Sequence, residues 1–248
     1  CTSHDLPFNF LSSFTENRHV LMIKPEGGYI VKTPATAPNE NFITSRFRVD
    51  LSDPTMALAG ISMKFSGNES INYHLSLADL PDEKKLNYLR EEIGLPNFTI
   101  KKFQYFPFNA DSVSGEIKMD ATIPEFLQIT ATRIFISPYL IPVWHQTISQ
   151  KGKRKFPVVL EYAYDNEFDG SFKTPAGYRI ETIPKDINLD NEFFRYESHF
   201  TSVSGEVESH YSITVKQSLI PAGKFEEFNA LIHQVISDQK KKIVLVRI

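Results

Sequence analysis

Cysteine is nearly absent from this chain: Cys1 is the single one among 248 residues. One thiol cannot form an intramolecular disulfide framework, and it excludes a zinc site built from several cysteines. An excess of charge of one sign is also lacking, because 27 basic and 30 acidic side chains leave a net charge of -3. A protein dedicated to nucleic-acid binding normally carries a strongly basic face. The composition therefore argues against a disulfide-rich fold and against a nucleic-acid partner.

Long apolar runs and nucleotide-binding motifs are missing too. No stretch approaches the roughly 20 apolar residues of a transmembrane helix, so we expect no transmembrane segment. The sequence has neither a GxGxxG nor a Walker lysine pattern, and its seven histidines show no HxH or HExxH spacing. We therefore expect no bound cofactor and predict no catalytic or metal-binding residue.

Aromatic residues, by contrast, are abundant, with 20 phenylalanines and 10 tyrosines against 11 glycines. Between residues 116 and 123 apolar and polar side chains alternate, which is typical of a strand with one buried face. The alternation and the turn signals between such segments predict an all-β fold, mainly an antiparallel β-sandwich. Further strands are predicted at residues 19–24, 29–33, 43–49, 56–65, 70–77, 98–106, 126–136, 156–164, 178–183, 192–200, 207–215 and 243–246.

Two short α-helices are predicted within this pattern, at residues 81–93 and 222–239. In the first, Leu86, Leu89 and Ile93 form one apolar stripe, and acidic residues occupy the first turn. In the second, apolar residues recur at spacings of three and four from Phe225 to Val235. The polar and basic stretch 150–155 is a candidate division of the domain into two subdomains.

The histidines suggest one cluster, in a predicted hairpin around residues 202–205. Pairing of its strands would place Glu197 opposite His210 and His199 opposite Glu208, on the face away from the tyrosines. Two imidazoles and two carboxylates on one face could bind a divalent cation. The favoured interpretation is a solvated ladder of opposite charges.

Two further groups of residues have alternative interpretations. The acidic segment 165–170 is predicted to be a solvated turn, since the ligand spacing of a calcium loop is not completed after it. Four aromatic residues could form a surface that binds a glycan or peptide, although core packing is favoured for them. They are Trp144, Tyr139, Tyr105 and Phe106.

Several short motifs are spread over most of the chain. They are CTS at residues 1–3, LPF at 6–8, NRHVL at 17–21, PEGG at 25–28, TP at 33–34, FP at 156–157, PAGY at 175–178, IP at 183–184, LIP at 219–221, Phe225, Phe228 and IVL at 243–245. Together they resemble the C-terminal β-rich domain, of unassigned function, that follows the papain-like core in exported bacterial transglutaminase-like proteins.

This resemblance implies a division of the chain and a role for it. Cys1 would align just after the family's catalytic acid, so the family's nucleophilic cysteine and its histidine would lie further upstream. Residues 1–34 would lead away from an absent transglutaminase-like core, and residues 35–248 would form the β-sandwich domain. We therefore expect a non-catalytic C-terminal structural or interaction module of a cysteine protease or transamidase, with the preceding core as its partner.

Location and function have alternatives at this point. The resemblance implies export to the periplasm or the cell surface. Cys1 could instead be the first mature residue of a lipoprotein, with its thiol acylated. A function from a different class is a carbohydrate- or peptide-binding β-sandwich module that uses the four aromatic residues.

Overall fold

The computed structural model describes residues 6–7, 10–93, 98–108, 113–149 and 153–248. These residues form a mainly β fold with three α-helices, which confirms the all-β prediction. The helices are α1 Asn68–Leu77, α2 Asp82–Ile93 and α3 Phe225–Gln239. The strands are β1 His19–Lys24, β2 Gly27–Lys32, β3 Ile43–Asp50, β4 Met56–Ser66, β5 Thr99–Phe106, β6 Ser114–Pro124, β7 Gln128–Ile129, β8 Arg133–Ile136, β9 Val158–Val159, β10 Tyr164–Lys173, β11 Tyr178–Thr182, β12 Ile187–Asp190, β13 Phe194–Val203, β14 Glu206–Val215, β15 Leu219–Ile220 and β16 Ile243–Arg247.

An eight-stranded sheet dominates the fold, in the order β12-β13-β14-β10-β3-β4-β6-β5. All neighbours are antiparallel except β10 and β3, which run parallel at its centre. Because side chains alternate along each strand, one face is apolar and the other polar. Phe47, Ile61, Met119 and Tyr211 lie on the buried face.

The apolar face is covered by a second sheet and by the helices. The second sheet has the order β11-β16-β8-β7, and Ile134 and Leu245 from it belong to the same buried cluster as the large sheet. From α3, Phe228 and Ile232 pack in a second cluster with residues of β13 and β14. The cover is therefore part sheet and part helix. The C-terminal segment forms strand β16 of the second sheet, as predicted.

Both predicted helices are confirmed, and α1 is an addition. Residues 70–77 were predicted as a strand because Ile71, Tyr73, Leu75 and Leu77 alternate with polar residues. In the structure they are helical, and Leu75 is exposed while Tyr73 and Leu77, one turn apart, are buried. Gly67 precedes the helix with φ +62, a conformation that ends β4 and turns the chain into α1.

The solvated turn predicted at residues 165–170 is wrong, because these residues belong to the central strand β10. Phe168 and Phe172 face the core, and Gly170 stands between them. A Cβ on Gly170 would lie 2.1 Å from Cε2 of Phe47 and 2.6 Å from Oγ of Ser209. The glycine makes room for these side chains, and it also hides the apolar alternation in the sequence.

The predicted division near residues 150–155 lies partly outside the described residues and stays a prediction. The large sheet takes strands from both sides of it. Residues 1–5, including Cys1, also lie outside the described part of the chain.

A buried polar cluster fixes the N-terminal segment to the sheet. The carboxylate of Glu16 accepts hydrogen bonds from the backbone and hydroxyl of Thr36 and from Nδ2 of Asn68. Asn41 accepts from the backbone N–H of Asn68 at 2.8 Å and donates to the carbonyl of Ala163 at 3.0 Å. Glu16, Asn41 and Asn68 are all at least 95% buried, so their mutual bonds replace water that the core excludes.

Gly170→Ala tests the packing of the central strand. The added methyl group has no space beside Phe47 and Ser209, so we expect a loss of about 1–3 kcal/mol in the free energy of unfolding. Gly60→Ala is the matched control, because its Cβ would meet only Asp120 Oδ1, at 3.8 Å on the open face. Urea denaturation compares the two variants, and equal stabilities would contradict the packing described.

Candidate functional site

The open face of the large sheet carries the main concentration of polar chemistry. The strand registers align one row of side chains across six strands: His199, His210, Asp169, Arg46, Ser62 and Lys118. A shallow cavity of about 810 Å³ lies over this row and is also lined by Arg48, Asp120 and Glu208. Cationic and anionic groups are interleaved, so the cavity presents hydrogen-bonding groups of both kinds without a dominant charge.

His210 is the centre of the closest cluster in this row. Its Nδ1 lies 2.9 Å from Oδ1 of Asp169 and 3.8 Å from Oε1 of Glu167. Its Nε2 lies 3.9 Å from Oε1 of Glu197, which Arg195 holds at 2.8 Å. Three carboxylates therefore surround one half-exposed imidazole.

The sequence predicted the correct face for these histidines but the wrong cross-strand register; Glu197 still approaches His210 diagonally, at 3.9 Å. The two-residue turn Ser204-Gly205, with φ values of 50° and 81°, pairs His199 with His210 and Glu208 with Thr201. His199 instead contacts Asp186, with Nδ1 and Oδ2 2.5 Å apart. Glu167 and Asp169 were missed because β10 was interpreted as a turn. The pattern that could have revealed this strand is the pair Phe168 and Phe172 on one face, with Gly170 between them.

The four predicted aromatic residues do not form one surface. Tyr139 is 5% exposed, and its hydroxyl donates to the buried carboxylate of Asp238. Trp144 packs against Phe228 with ring centroids 6.0 Å apart. Both side chains therefore contribute to the core, in agreement with the favoured interpretation.

Tyr105 and Phe106 are neighbours on β5 and point to opposite faces. Tyr105 pairs with Ile117, and its hydroxyl lies 3.5 Å from Nδ1 of His74. Phe106 pairs with Glu116 on the open face, where Nζ of Lys118 lies 5.4 Å from the ring centroid. Of the four, only Phe106 is an exposed aromatic side chain beside the polar row.

Glu69 on α1 is a second group with unusual chemistry. Its pKa is raised from an ordinary 4.5 to about 7, mainly by burial and also by the negative charges of Glu92 and Glu161. A hydrogen bond with Tyr162 opposes this shift, and Tyr162 in turn accepts from Asn72 at 2.7 Å. Sequence reasoning missed Glu69 because its helix was predicted as a strand.

The hairpin β1–β2 carries six exposed large apolar side chains. Leu21, Ile23 and Ile30 share one face, and Ile23 and Ile30 are 81% and 77% exposed. Val20, Met22 and Tyr29 share the other face and are also exposed. A two-stranded hairpin alone is marginally stable in water, and contiguous exposed apolar side chains are a feature typical of interaction surfaces.

The base of this hairpin is firmly fixed and borders a cleft. Arg18 and Thr33 exchange backbone and hydroxyl hydrogen bonds, and the hydroxyl of Thr33 also donates to the carbonyl of Thr15 at 2.7 Å. A cleft of about 570 Å³ runs from Arg18 to the two-residue ribbon β9–β15. There Val159 and Leu219 pair directly and are both exposed. We call the hairpin β1–β2, this cleft and the ribbon β9–β15 the hairpin surface.

Comparison with known proteins gives one family match. Residues 132–245 match the family described as a domain of unknown function with solved structure, DUF3858. The matched region begins just before β8 and ends within β16, so it contains β10, β13, β14 and α3 but not the hairpin β1–β2. No curated protein matches the sequence.

A solved structure from Parabacteroides distasonis ATCC 8503, described as a putative protease, aligns with 48% of this chain at 13% sequence identity. The aligned part spans 24% of that protein's chain, and the TM-score is 0.39. Similarity at this level is too low to assign this chain's fold or function. Within the described residues, no helix is long and apolar enough to cross a membrane.

Glu69→Gln tests the buried acid. The pKa of Glu69 is higher in the folded chain than its ordinary value, so the neutral form is favoured by folding. The stability of the wild type therefore falls as pH rises from 4.5 through 7. The glutamine side chain does not ionise, so the variant lacks this loss. Its free energy of unfolding relative to the wild type should therefore rise by roughly 2–3 kcal/mol between pH 4 and pH 8. Glu91→Gln makes the same chemical change at an exposed position and is the control.

Chemical denaturation at both pH values measures this difference. If Glu69→Gln and the wild type changed stability in parallel across the range, the carboxyl group of Glu69 would not be held in a desolvated site.

Proposed function

We propose that this chain is a non-catalytic C-terminal module of a transglutaminase-like protein, and that its hairpin surface docks onto the preceding core. The exposed apolar hairpin is the observation that supports this most directly. Burying a fully exposed isoleucine gives about 1.5–3 kcal/mol, so Ile23 and Ile30 alone offer substantial docking energy. The resemblance of the chain's short motifs to that family supplies the identity of the partner.

The position of the hairpin in the chain supports the same partner. It lies near the start of the chain, between Glu16 and Asn41 of the polar cluster that holds its base on the sheet. A domain attached to the opening residues would meet the hairpin surface at high effective concentration, since the connection is short. Even a modest apolar contact would then be stable.

Under this proposal the chain would function in the periplasm or at the cell surface, because the family it resembles is exported. DUF3858 is a domain of unknown function, so the match of residues 132–245 to it does not argue against this role. The chemistry of the parent protein would belong to the preceding core, and this chain would stabilise or orient it.

Amide hydrogen exchange on the isolated chain and on the complete gene product tests the docking. We expect the amides of residues 19–32 to exchange at least tenfold more slowly in the complete protein, because the core covers the hairpin. The double variant Ile23→Glu/Ile30→Glu should lose this protection. In the isolated chain it should change the free energy of unfolding by less than about 0.5 kcal/mol, since these side chains are exposed there.

Val203→Glu is the matched control, because it places the same charge at an exposed apolar position on a different hairpin, β13–β14. Equal exchange of residues 19–32 in both proteins would contradict the docking. Transamidase or peptidase turnover by the isolated chain on a dye-labelled protein would contradict the non-catalytic role.

A second candidate function is a glycan- or peptide-binding module, favoured by the cavity on the open face. Its rows of hydrogen-bonding groups and the neighbouring Phe106 suit a polar ligand. Glycan-array or peptide-array binding that is lost in Arg46→Ala would favour this function over the docking proposal.

A further inference from the structure

The open face also brings together the donor set of a metal site, which goes beyond the docking role. We propose that His210, Asp169 and Glu167 bind one divalent transition-metal ion of the zinc class. The site is formed by two adjacent strands. Asp169 lies directly opposite His210 in the register of β10 and β14, and Glu167 is two residues away on the same face.

The distances suit a shared ion. Zinc binds imidazole nitrogen and carboxylate oxygen at about 2.0–2.2 Å, so two of its ligand atoms lie roughly 3–4 Å apart. The Nδ1 atom of His210 is 2.9 Å from Asp169 and 3.8 Å from Glu167. One ligand atom from each of the three residues lies within 4.8 Å of the others. Small side-chain rotations would therefore complete three bonds to one ion.

The second nitrogen of His210 has a carboxylate nearby that could orient the ring in a metal site. Histidine ligands usually donate the other ring N–H to a carboxylate, which fixes the tautomer that offers its lone pair to the metal. Here Oε1 of Glu197 lies 3.9 Å from Nε2, outside hydrogen-bond distance, and Arg195 holds Glu197 in place. A small rotation of His210 on metal binding would bring Nε2 within hydrogen-bond reach of this carboxylate. In the proposed site Nδ1, which faces Asp169 and Glu167, is the metal-binding nitrogen.

The charge around the site also favours a cation. Among the described residues, no lysine or arginine lies within ion-pair distance of Glu167, whose neighbour at that distance is the imidazole of His210. Asp169 has Arg46 at 3.8 Å, but the Arg46 side chain is 79% exposed and free to turn into solvent. Two carboxylates with so little compensation attract a divalent ion, and the imidazole selects zinc over magnesium or calcium.

The site is open to ligands on two sides. Asp169 and His210 line the cavity of about 810 Å³, and Glu167 and His210 line an adjoining one of about 370 Å³. A bound ion would have only three protein ligands, so its other positions would be free for water or for a ligand's oxygen atom.

Isothermal titration of the untagged chain with zinc chloride tests this proposal. The experiment uses a Cys1→Ser background, so that the thiol cannot contribute. We expect one equivalent of zinc to bind, magnesium chloride to give no comparable heat, and His210→Ala and Asp169→Asn each to weaken binding at least tenfold. His199→Ala is the matched control, since His199 is the next histidine in the row but contacts Asp186.

The variants remain interpretable because these side chains are at least partly exposed, and circular dichroism checks their folding. Absence of saturable zinc binding would overturn the proposal. Zinc binding of wild-type strength in His210→Ala, or its loss in His199→Ala alone, would also overturn it.

Discussion

The structure depends on one constraint: the eight-stranded sheet has an apolar face that must be covered. That face carries bulky side chains such as Phe172 and Tyr211 across its full width, and leaving it in water would cost far more than the stability of a typical domain. The smaller sheet and three helices cover it. The opposite face needs no cover because its side chains are polar, and this difference leaves a broad surface for binding chemistry.

Buried polar groups fix the parts of this cover to the sheet. At one side, Asp238 of α3 accepts hydrogen bonds from Tyr196 and Ser198, each at 2.7 Å, and from Tyr139. Lys241 pairs with its second oxygen at 2.6 Å. At the other side, Glu16 and Asn68 hold the segment that carries the hairpin. These hydrogen-bonded networks specify positions that apolar packing alone would leave loose, so the exposed hairpin extends from a defined base.

Much of the fold could be predicted from the sequence, whereas little of the candidate site could. Strands such as β6 and helices such as α3 have clean periods, because each packs one face against the core. The period of α1 is ambiguous, since buried Ser70 and Asn68 interrupt its apolar stripe, and β10 has a glycine where a large side chain would collide with Phe47. The candidate site depends on residues 164–173 forming a strand and on the two-residue turn that sets which residue lies opposite His210. Neither feature can be read from the local sequence pattern.

We propose that the hairpin β1–β2 is an interface with a transglutaminase-like core that precedes this chain in a parent protein. Site-specific photocrosslinking in the complete gene product tests it most directly, with the crosslinking amino acid at Ile23 and, as the control, at Val203. The account predicts crosslinks from position 23 to peptides upstream of Cys1, and none to them from position 203. Crosslinks from position 23 only to a second copy of this chain, or to no protein, would contradict it.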